Sequence, residues 1–311
     1  MKKAKRTDRA MPFRFHLLRC AFRGVQALST PLAARLAGHL FLTPPRHPVP
    51  PVETDSLATG RAFRVPFEGS HLAAWAWGPK HGTAPTVILL HGWGGRAGQL
   101  LGFLTPLVDA GYRVVAFDGP AHGASGGRQA SILHFASALE TVVRRTGPVH
   151  GLIAHSLGCA AASVALSRGA KIERACFLAP PAKACVYYEK FLGFLGLPDS
   201  SVPEFSRRFA VQFDFTWDQL EVPALAPRMR TALQIFHDAN DREVSFSEGA
   251  AISAAWPGAE LHRTEGLGHH RILKSKEVQA TAVAFLSQGL RFTSCVQRFE
   301  AELFEPALRV G

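Results

Sequence analysis

Hydrophobic positions recur with two different periods along this chain of 311 residues, and each change of period predicts a boundary between elements. Phe63, Val65 and Phe67 alternate with other residues before a polar turn at 68–70, and 72–77 returns after it, which predicts an antiparallel hairpin. Short apolar runs then alternate with stretches of helical period, at 86–90, 112–117, 151–154, 172–179, 230–236 and 259–264. Such runs are typical of buried parallel strands with helices on both faces. The sequence therefore predicts an α/β fold with a mostly parallel, doubly wound sheet behind an antiparallel hairpin.

The helices between these strands are predicted at 97–110, 131–145, 157–168, 247–255 and 272–290. The alternation fails from 180 to 227, where nine aromatic residues accumulate. They are Tyr187, Tyr188, Phe191, Phe194, Phe205, Phe209, Phe213, Phe215 and Trp217. We interpret 180–227 as an insert in the sheet domain.

The first 52 residues have another character. Phe15, Leu18, Phe22 and Val25 share a helical face, and Thr30 as N-cap with Pro31 after it predicts a second helix carrying Leu32, Leu36 and Leu40. Five prolines within 43–52 predict a stiff, extended linker. We divide the chain into a helical arm and linker (1–52), an α/β domain (53–290) and a helical tail (291–311).

The net charge of +11 is concentrated in the arm, because residues 1–50 hold ten Lys or Arg and only one acidic residue, Asp8. The rest of the chain is near neutral and carries no nucleic-acid-binding motif, so no nucleic acid is expected as a partner. Two interpretations of residues 12–42 remain open. The apolar stripes lie on an anionic membrane surface, or they pack on the domain or on a partner chain. Packing is favoured because most amphipathic helices face a core.

Five cysteines, an odd number without C-x-x-C spacing, indicate reduced thiols. No apolar run in the arm has the length of a membrane span or an uninterrupted signal-peptide core. We expect a cytoplasmic protein, with membrane association through the arm left open.

Ser156 stands where an apolar run ends and a helix rich in small residues begins. Strand, sharp turn and helix in that order lift a serine out of a sheet, provided that the residues two before and two after it are small. Ala154 and Gly158 meet this condition. The stretch Ala154–Gly158, AHSLG, resembles the nucleophile elbow G-x-S-x-G of the α/β-hydrolase family, with alanine in place of the first glycine. The alternative is an ordinary turn in which Ser156 only caps the helix.

The resemblance extends over about 61–290 and implies an α/β-hydrolase fold in which the aromatic insert is a small helical lid. It also implies a catalytic serine, acid and histidine in that order along the chain. His269, directly after Gly268, is favoured over His270 as the base, and Asp241 over Asp238 as the acid, while Asp238 suits a turn. The backbone amides of Trp93 and Leu157 are the expected oxyanion hole. His91, Asp118 and His122 are expected to be structural.

Two further classes stay open as alternatives. Gly92-x-Gly94-x-x-Ala97 after a strand, with Asp118 ending the next one, has the spacing of a dinucleotide fingerprint and would suit a nucleotide-binding oxidoreductase. A hydrolase scaffold can also serve as a non-catalytic binding protein. No metal-binding motif is present, and no cofactor is expected.

The favoured hypothesis is a serine hydrolase that cleaves carboxylic ester or thioester bonds of small to medium hydrophobic acyl substrates. Ser156 is the nucleophile, His269 the general base and Asp241 the residue that orients the histidine. The aromatic insert suggests an apolar acyl pocket.

Overall fold

One eight-stranded sheet carries the fold in the computed structural model, which describes residues 13–79, 84–212 and 214–289. The strand order is β1-β2-β4-β3-β5-β6-β7-β8. The strands are β1 (Arg61–Phe67), β2 (Ser70–Trp77), β3 (Thr86–Leu90), β4 (Arg113–Phe117), β5 (Val149–His155), β6 (Ile172–Leu178), β7 (Ala232–Asp238) and β8 (Glu260–Thr264). β2 pairs antiparallel with β1 and β4, and every other pair is parallel. The prediction of a mostly parallel sheet with an N-terminal antiparallel hairpin is confirmed.

Twelve α-helices accompany the sheet within the described residues. They are α1 (Phe13–Leu28), α2 (Thr30–Phe41), α3 (Pro51–Ala58), α4 (Leu104–Asp109), α5 (Ile132–Thr146), α6 (Leu157–Ser167), α7 (Ala184–Phe194), α8 (Val202–Gln212), α9 (Val222–Leu225), α10 (Phe246–Ala255), α11 (Gly268–Arg271) and α12 (Lys276–Ser287). The predicted tail 291–311, residues 1–12 of the arm and Phe213 lie outside the described residues.

The period of two along the central strands divides the core into two layers. Ile88 and Leu90 of β3 point to the face covered by α5 and α6, whereas Val87 and Leu89 point to the face covered by α4 and α12. All residues of β3, β4 and β5 are buried, so these strands must be apolar on both faces. This is why they are continuous apolar runs in the sequence.

Two of the predicted helices are divided in the structure. The segment predicted as a helix over 97–110 is a 3-10 helix, Ala97–Phe103, followed by α4. Pro106 explains the division, because proline lacks the N–H that a helix interior needs and is tolerated only in a first turn, where α4 places it. The helix predicted over 272–290 is likewise a 3-10 turn, Ile272–Lys274, and then α12, which begins after the N-cap Ser275. α3 and α11 were not predicted. α3 begins at Pro51, so the extended linker predicted over 43–52 ends there, because proline is well suited to the first turn of a helix.

The arm helices α1 and α2 pack against the insert helices α7 and α8. Phe22 of α1 and Ala33 and Ala37 of α2 share a buried cluster with Tyr188 and Phe209 of the insert. α2 begins at the N-cap Ser29, whose hydroxyl accepts from the Leu32 amide, and not at Thr30 as predicted. The division of the chain into arm, domain and tail stays a prediction.

The leucine stripe of α2 was expected to pack on the domain or on a partner chain, and the structure shows that it does not pack on the domain. Leu32, Leu36 and Leu40 are exposed, and the buried face of α2 consists of Ala33, Ala34, Ala37 and Gly38. Small residues let a helix backbone approach its neighbours closely, which a row of leucines on that side would prevent. Within the described chain, no helix has the length and hydropathy to cross a bilayer.

Candidate active site

Ser156 occupies the single-residue turn between β5 and α6. Its backbone has φ 52° and ψ −125°, a conformation that residues other than glycine rarely adopt. Gly158 makes the turn possible, since a Cβ at that position would stand 2.6 Å from the carbonyl oxygen of His91. Ala154, two residues before the serine, is the last but one residue of β5, and its small side chain is fully buried. The turn thus holds the serine side chain at the carboxyl end of the parallel strands, where α/β sheets commonly bind ligands.

The side chains of Ser156, His269 and Asp241 form one hydrogen-bonded chain. His269 Nδ1 lies 2.8 Å from Asp241 Oδ2, and His269 Nε2 lies 3.0 Å from Ser156 Oγ. A carboxylate only accepts, so Nδ1 carries the proton and Nε2 accepts from the serine hydroxyl. An imidazole in this tautomer can take the proton of a serine that attacks a carbonyl carbon.

Asp241 lies in the loop after β7, with its side chain fully buried. Burial by itself would raise the pKa of the carboxyl group, but the hydrogen bonds from His269 and from the amides of Val244 and Glu243 outweigh it and lower the pKa. The two amides donate to Oδ1 at 3.0 and 2.8 Å, which leaves Oδ2 for the histidine. The carboxylate is thus ionised and held in one orientation.

The two competing residues lie elsewhere. His270 is exposed, and its Nε2 lies 3.1 Å from Glu243 Oε1. Asp238 accepts from the Asn240 amide, which forms an Asx turn, and from Thr264 Oγ1 and the Leu267 amide, all at 2.9 Å. Asp238 therefore holds the loop that leads to His269 and does not reach the imidazole.

The loop after β3 lies against the serine. A Cβ on Gly92 would stand 2.8 Å from Ser156 Cβ, so the backbone that leads into Trp93 closely approaches the nucleophile candidate. Leu157 is the first residue of α6, and its amide belongs to the free N-terminal end of that helix. The structure thus brings the backbone of both predicted oxyanion-hole residues close to Ser156.

Two buried histidines hold this loop in place. His91 Nε2 accepts from the Gly119 amide at 2.8 Å, and His122 Nε2 accepts from the Gly94 amide at 2.9 Å. Each Nδ1–H donates to a backbone carbonyl, of Gly92 and Pro120 respectively. Burial lowers the pKa of both imidazoles to about 4, so both are neutral near neutral pH and can accept these bonds.

The Asp118 side chain occupies the helix start at which a dinucleotide would have to bind its pyrophosphate. Its Oδ1 accepts from the Ala97 amide at 2.8 Å, at the start of the 3-10 helix, and its Oδ2 accepts from the Ala124 amide at 2.8 Å. In a dinucleotide fingerprint that helix start binds pyrophosphate. Here a carboxylate of the protein takes the amide, which does not favour nucleotide binding at Gly92 and Gly94. Among the described residues, no group of three or more His, Cys, Asp or Glu is arranged to hold a metal ion.

The sequence analysis missed His155, the residue before the serine. Its side chain is buried beneath His269, with ring centroids 4.8 Å apart, and its Nε2–H donates to the backbone carbonyl of His269 at 3.0 Å. Burial, followed by the proximity of His269, lowers the pKa of His155 to about 3, so the ring is neutral. A polar residue at the end of an otherwise apolar strand was the signal that could have found it.

The arm also reaches this region, through Phe41 at the end of α2. The Phe41 ring stacks on Trp93 at a centroid distance of 6.5 Å and meets Tyr188 of the insert edge-on at 5.0 Å. The insert is tied to the sheet domain by Tyr187, whose hydroxyl donates to Glu248 Oε1 at 2.7 Å. Aromatic side chains from the arm and the insert thus adjoin the loop that carries Trp93.

The sequence profile of the Alpha/beta hydrolase family matches residues 87–282, which is more than half of the chain and includes Ser156, Asp241 and His269. The chain belongs to the α/β hydrolase family. A serine hydrolase-like protein of Danio rerio is 34% identical over 101 residues, which span 31% of this chain and 30% of that relative.

Solved structures share the α/β-hydrolase fold at low sequence identity. An esterase from Pyrococcus furiosus is 22% identical, covers 78% of this chain and 98% of its own, and superposes with a TM-score of 0.58. Est1E from Butyrivibrio proteoclasticus, solved with ferulic acid bound, is 16% identical and covers 72% of this chain and 98% of its own, with a TM-score of 0.55.

Proposed function

We propose that this protein is a serine hydrolase that cleaves carboxylic ester or thioester bonds of small to medium hydrophobic acyl substrates. The observation that carries the proposal is the chain of hydrogen bonds from Ser156 Oγ through His269 to Asp241, at 3.0 and 2.8 Å. These hydrogen bonds start from a serine on a strained turn, in a chain of the α/β hydrolase family. The match to a serine hydrolase-like protein and the likeness to esterases support the same class.

In the proposed reaction Ser156 Oγ attacks the carbonyl carbon while its proton passes to His269 Nε2. Asp241 keeps Nδ1 protonated and stabilises the imidazolium that forms. The amides of Leu157 and Trp93 receive the oxyanion of the tetrahedral intermediate. Its collapse breaks the bond to the alcohol or thiol, which leaves with the proton from His269. Water, deprotonated by His269, then hydrolyses the acyl-enzyme and releases the acid.

The preference for hydrophobic acyl groups rests on the aromatic side chains beside Trp93. The half-buried rings of Phe41 and Trp93 offer apolar surface next to the proposed oxyanion hole, and the buried Tyr188 packs against Phe41. Apolar walls with few polar groups suit acyl chains. In this proposal the insert acts as the lid of the acyl site.

Labelling with a fluorophosphonate probe tests the proposal directly, because the probe reacts only with an activated serine. We expect the wild-type protein to be labelled, and Ser156→Ala and His269→Ala to lose labelling. Hydrolysis of p-nitrophenyl acyl esters should fall by about four orders of magnitude or more in both variants. The His270→Ala variant is the matched control and should retain both activities.

A folded wild-type protein that neither reacts with the probe nor hydrolyses any ester of the panel would overturn the proposal. A non-catalytic binding role would then be the favoured alternative. Reaction of the Ser156→Ala variant at the wild-type rate would locate the nucleophile elsewhere.

A further inference from the structure

Exposed hydrophobic side chains are concentrated in one part of the described chain. Leu17 and Leu28 of α1 and Leu32, Leu36 and Leu40 of α2 are between 40 and 90% exposed. The remaining large exposed hydrophobic residues that the structure describes lie at 49–52 or in the insert, and none lies on the helices that cover the sheet. Single exposed leucines are ordinary, but five on two adjoining helices form a surface that needs an explanation.

The exposed side of α2 is continuous. Leu32, Leu36 and Leu40 are spaced by four residues, so they line one face, and Arg35 and His39 adjoin them on the same exposed side. The opposite side, Ala33, Ala34, Ala37 and Gly38, is buried. Packing inside the protein therefore accounts for the small residues of α2. It does not account for the leucines, which the described part of the chain leaves exposed.

The exposed side of α1 is mostly apolar or small and carries no acidic residue. It consists of His16, Leu17, Cys20, Ala21, Arg23, Gly24, Ala27 and Leu28. On α1 the buried and half-buried face carries Phe22, Leu18 and Val25 instead. α1 and α2 pack on each other, so their exposed faces belong to two adjoining helices. We call these two exposed faces together the arm surface.

Positive charge surrounds the arm surface. Residues 13–50 contain five arginines and no acidic residue. A cleft of about 440 Å³ between α2 and α8 is lined by Arg35, His39, Arg207 and Arg208, the last two of which also pair with Glu204. A second cleft, of about 470 Å³ between α1 and the end of α7, is lined by Arg19 and Arg23 of α1 and by Asp199 of the insert.

We propose that the arm surface is a docking site for the headgroup region of an anionic lipid bilayer. Leucines inserted at the boundary between headgroups and acyl chains leave water, while arginines beside them meet lipid phosphates. Neither feature alone selects this partner. An apolar face suits any hydrophobic partner, but a face that combines leucines with arginines and lacks acidic residues is complementary to an anionic membrane. Lys2, Lys3, Lys5, Arg6 and Arg9 precede α1 in the sequence and add charge of the same sign.

Sedimentation with lipid vesicles tests the proposal on the full chain and needs no catalytic activity, so its outcome is independent of the proposed hydrolase function. We expect the protein to sediment with vesicles of phosphatidylcholine and phosphatidylglycerol, and less with phosphatidylcholine alone. Because the attraction to anionic lipid is screened by ions, binding should weaken as salt increases. Arg35→Gln should weaken binding about five-fold.

Replacing the three leucines of α2 tests the apolar contribution. The triple variant Leu32→Ser, Leu36→Ser, Leu40→Ser should lower the partition coefficient about a hundred-fold, since three side chains no longer leave water. Val52→Ser changes an exposed hydrophobic residue outside the arm surface. Arg145→Gln removes an exposed arginine at the far end of α5. Both controls should bind as the wild type does, and unchanged thermal unfolding of every variant shows that each is folded.

Two outcomes would overturn the proposal. The first is equal sedimentation of the wild-type protein with neutral and anionic vesicles, or none with either. The second is a triple leucine variant that is folded and binds as tightly as the wild type. If the protein does not bind vesicles, light scattering tests whether a second copy of the chain covers the arm surface. A wild-type dimer that becomes a monomer in the triple leucine variant would assign the arm surface to contact between two copies.

Discussion

Asp238 and Asp241 stand three residues apart in one loop, and their hydrogen bonds give them different tasks. The bonds to Asp238 come from the last residue of β8, Thr264, and from the loops after β7 and β8. Asp241 accepts two backbone amides on one oxygen and keeps the other for His269. Sequence context alone could favour one acid over the other, but only these partners distinguish an orienting carboxylate from a structural one.

Single replacement of each acid by asparagine separates the two tasks. Asp241→Asn should lower kcat by about a thousand-fold or more, because an amide facing Nδ1 no longer enforces the productive tautomer. Asp238→Asn should keep kcat within about three-fold and lower the free energy of unfolding by about 1–2 kcal/mol, since one acceptor of the loop is lost. Ester kinetics and denaturant unfolding measure both. Equal loss of kcat in the two variants would contradict the assignment.

His155 is expected to act as a positioning residue through the backbone of His269. His155→Ala leaves a buried carbonyl without its donor, and we expect kcat to fall about ten-fold with KM little changed. His155→Gln can place an amide N–H near the position of Nε2 and should restore most of kcat. Steady-state kinetics together with thermal unfolding measure the effect. If both variants lose stability but keep the wild-type kcat, the residue is only structural.

At the scale of elements, the arm and the insert are joined by aromatic contacts more than by polar ones. Phe41, at the end of α2, touches rings from α7 and α8 as well as Trp93. A polar contact reinforces the junction: Arg23 Nε donates to the Gly196 carbonyl at 2.9 Å. Within the α/β domain, Glu53 pairs with Arg96 next to the loop after β3. The arm therefore supports the insert and the loop that carries Trp93.

Phe41→Ala tests this support. The loss of a half-buried ring should lower the free energy of unfolding by about 2 kcal/mol, less than for a fully buried phenylalanine. In the proposed hydrolase the variant should also lose preference for longer acyl chains, because one apolar wall beside Trp93 is shortened. Leu36→Ala, in the same helix but exposed, is the matched control and should change neither quantity. Denaturant unfolding and a p-nitrophenyl ester series of increasing length measure the two effects. An unchanged stability would mean that the arm contributes no packing energy.

At the scale of the whole molecule, three buried histidines at the carboxyl ends of the central strands are neutral: His91, His122 and His155. His91 and His122 have pKa values lowered to about 4, and His155 has one lowered to about 3, in each case mainly by burial. In the unfolded chain an imidazole binds a proton near its ordinary pKa of about 6.5. Between these values the unfolded state binds more protons than the folded state, so acid favours unfolding.

The free energy of unfolding should therefore fall as the pH decreases from about 7 to about 5. The slope should approach on the order of 1.4 kcal/mol per pH unit for each of these histidines that is protonated only in the unfolded chain. The stability that they contribute is complete above about pH 6.5 and is lost below it. Denaturant titrations at several pH values measure this slope. A free energy that stays constant over this range would show that the histidines accept protons in the folded state.

The sequence by itself determined the succession of strands along the chain and the sharp turn at Ser156. Wholly apolar runs could only be strands buried on both faces, and the small residues around Ser156 permit a backbone that larger side chains would exclude. The sequence also proposed Ser156, Asp241 and His269, because sharp turns at the carboxyl ends of parallel strands bring such residues to one edge.

Only the tertiary structure decided what depends on neighbours distant in sequence. His155 acquired its partner because α11 lies over the end of β5, and Asp238 and Asp241 were distinguished by the amides around them. The same holds for α2, whose periodicity marks two faces but not which one is buried. The alanine face packs against the insert because small side chains permit close approach, and the leucine face is left exposed for that reason.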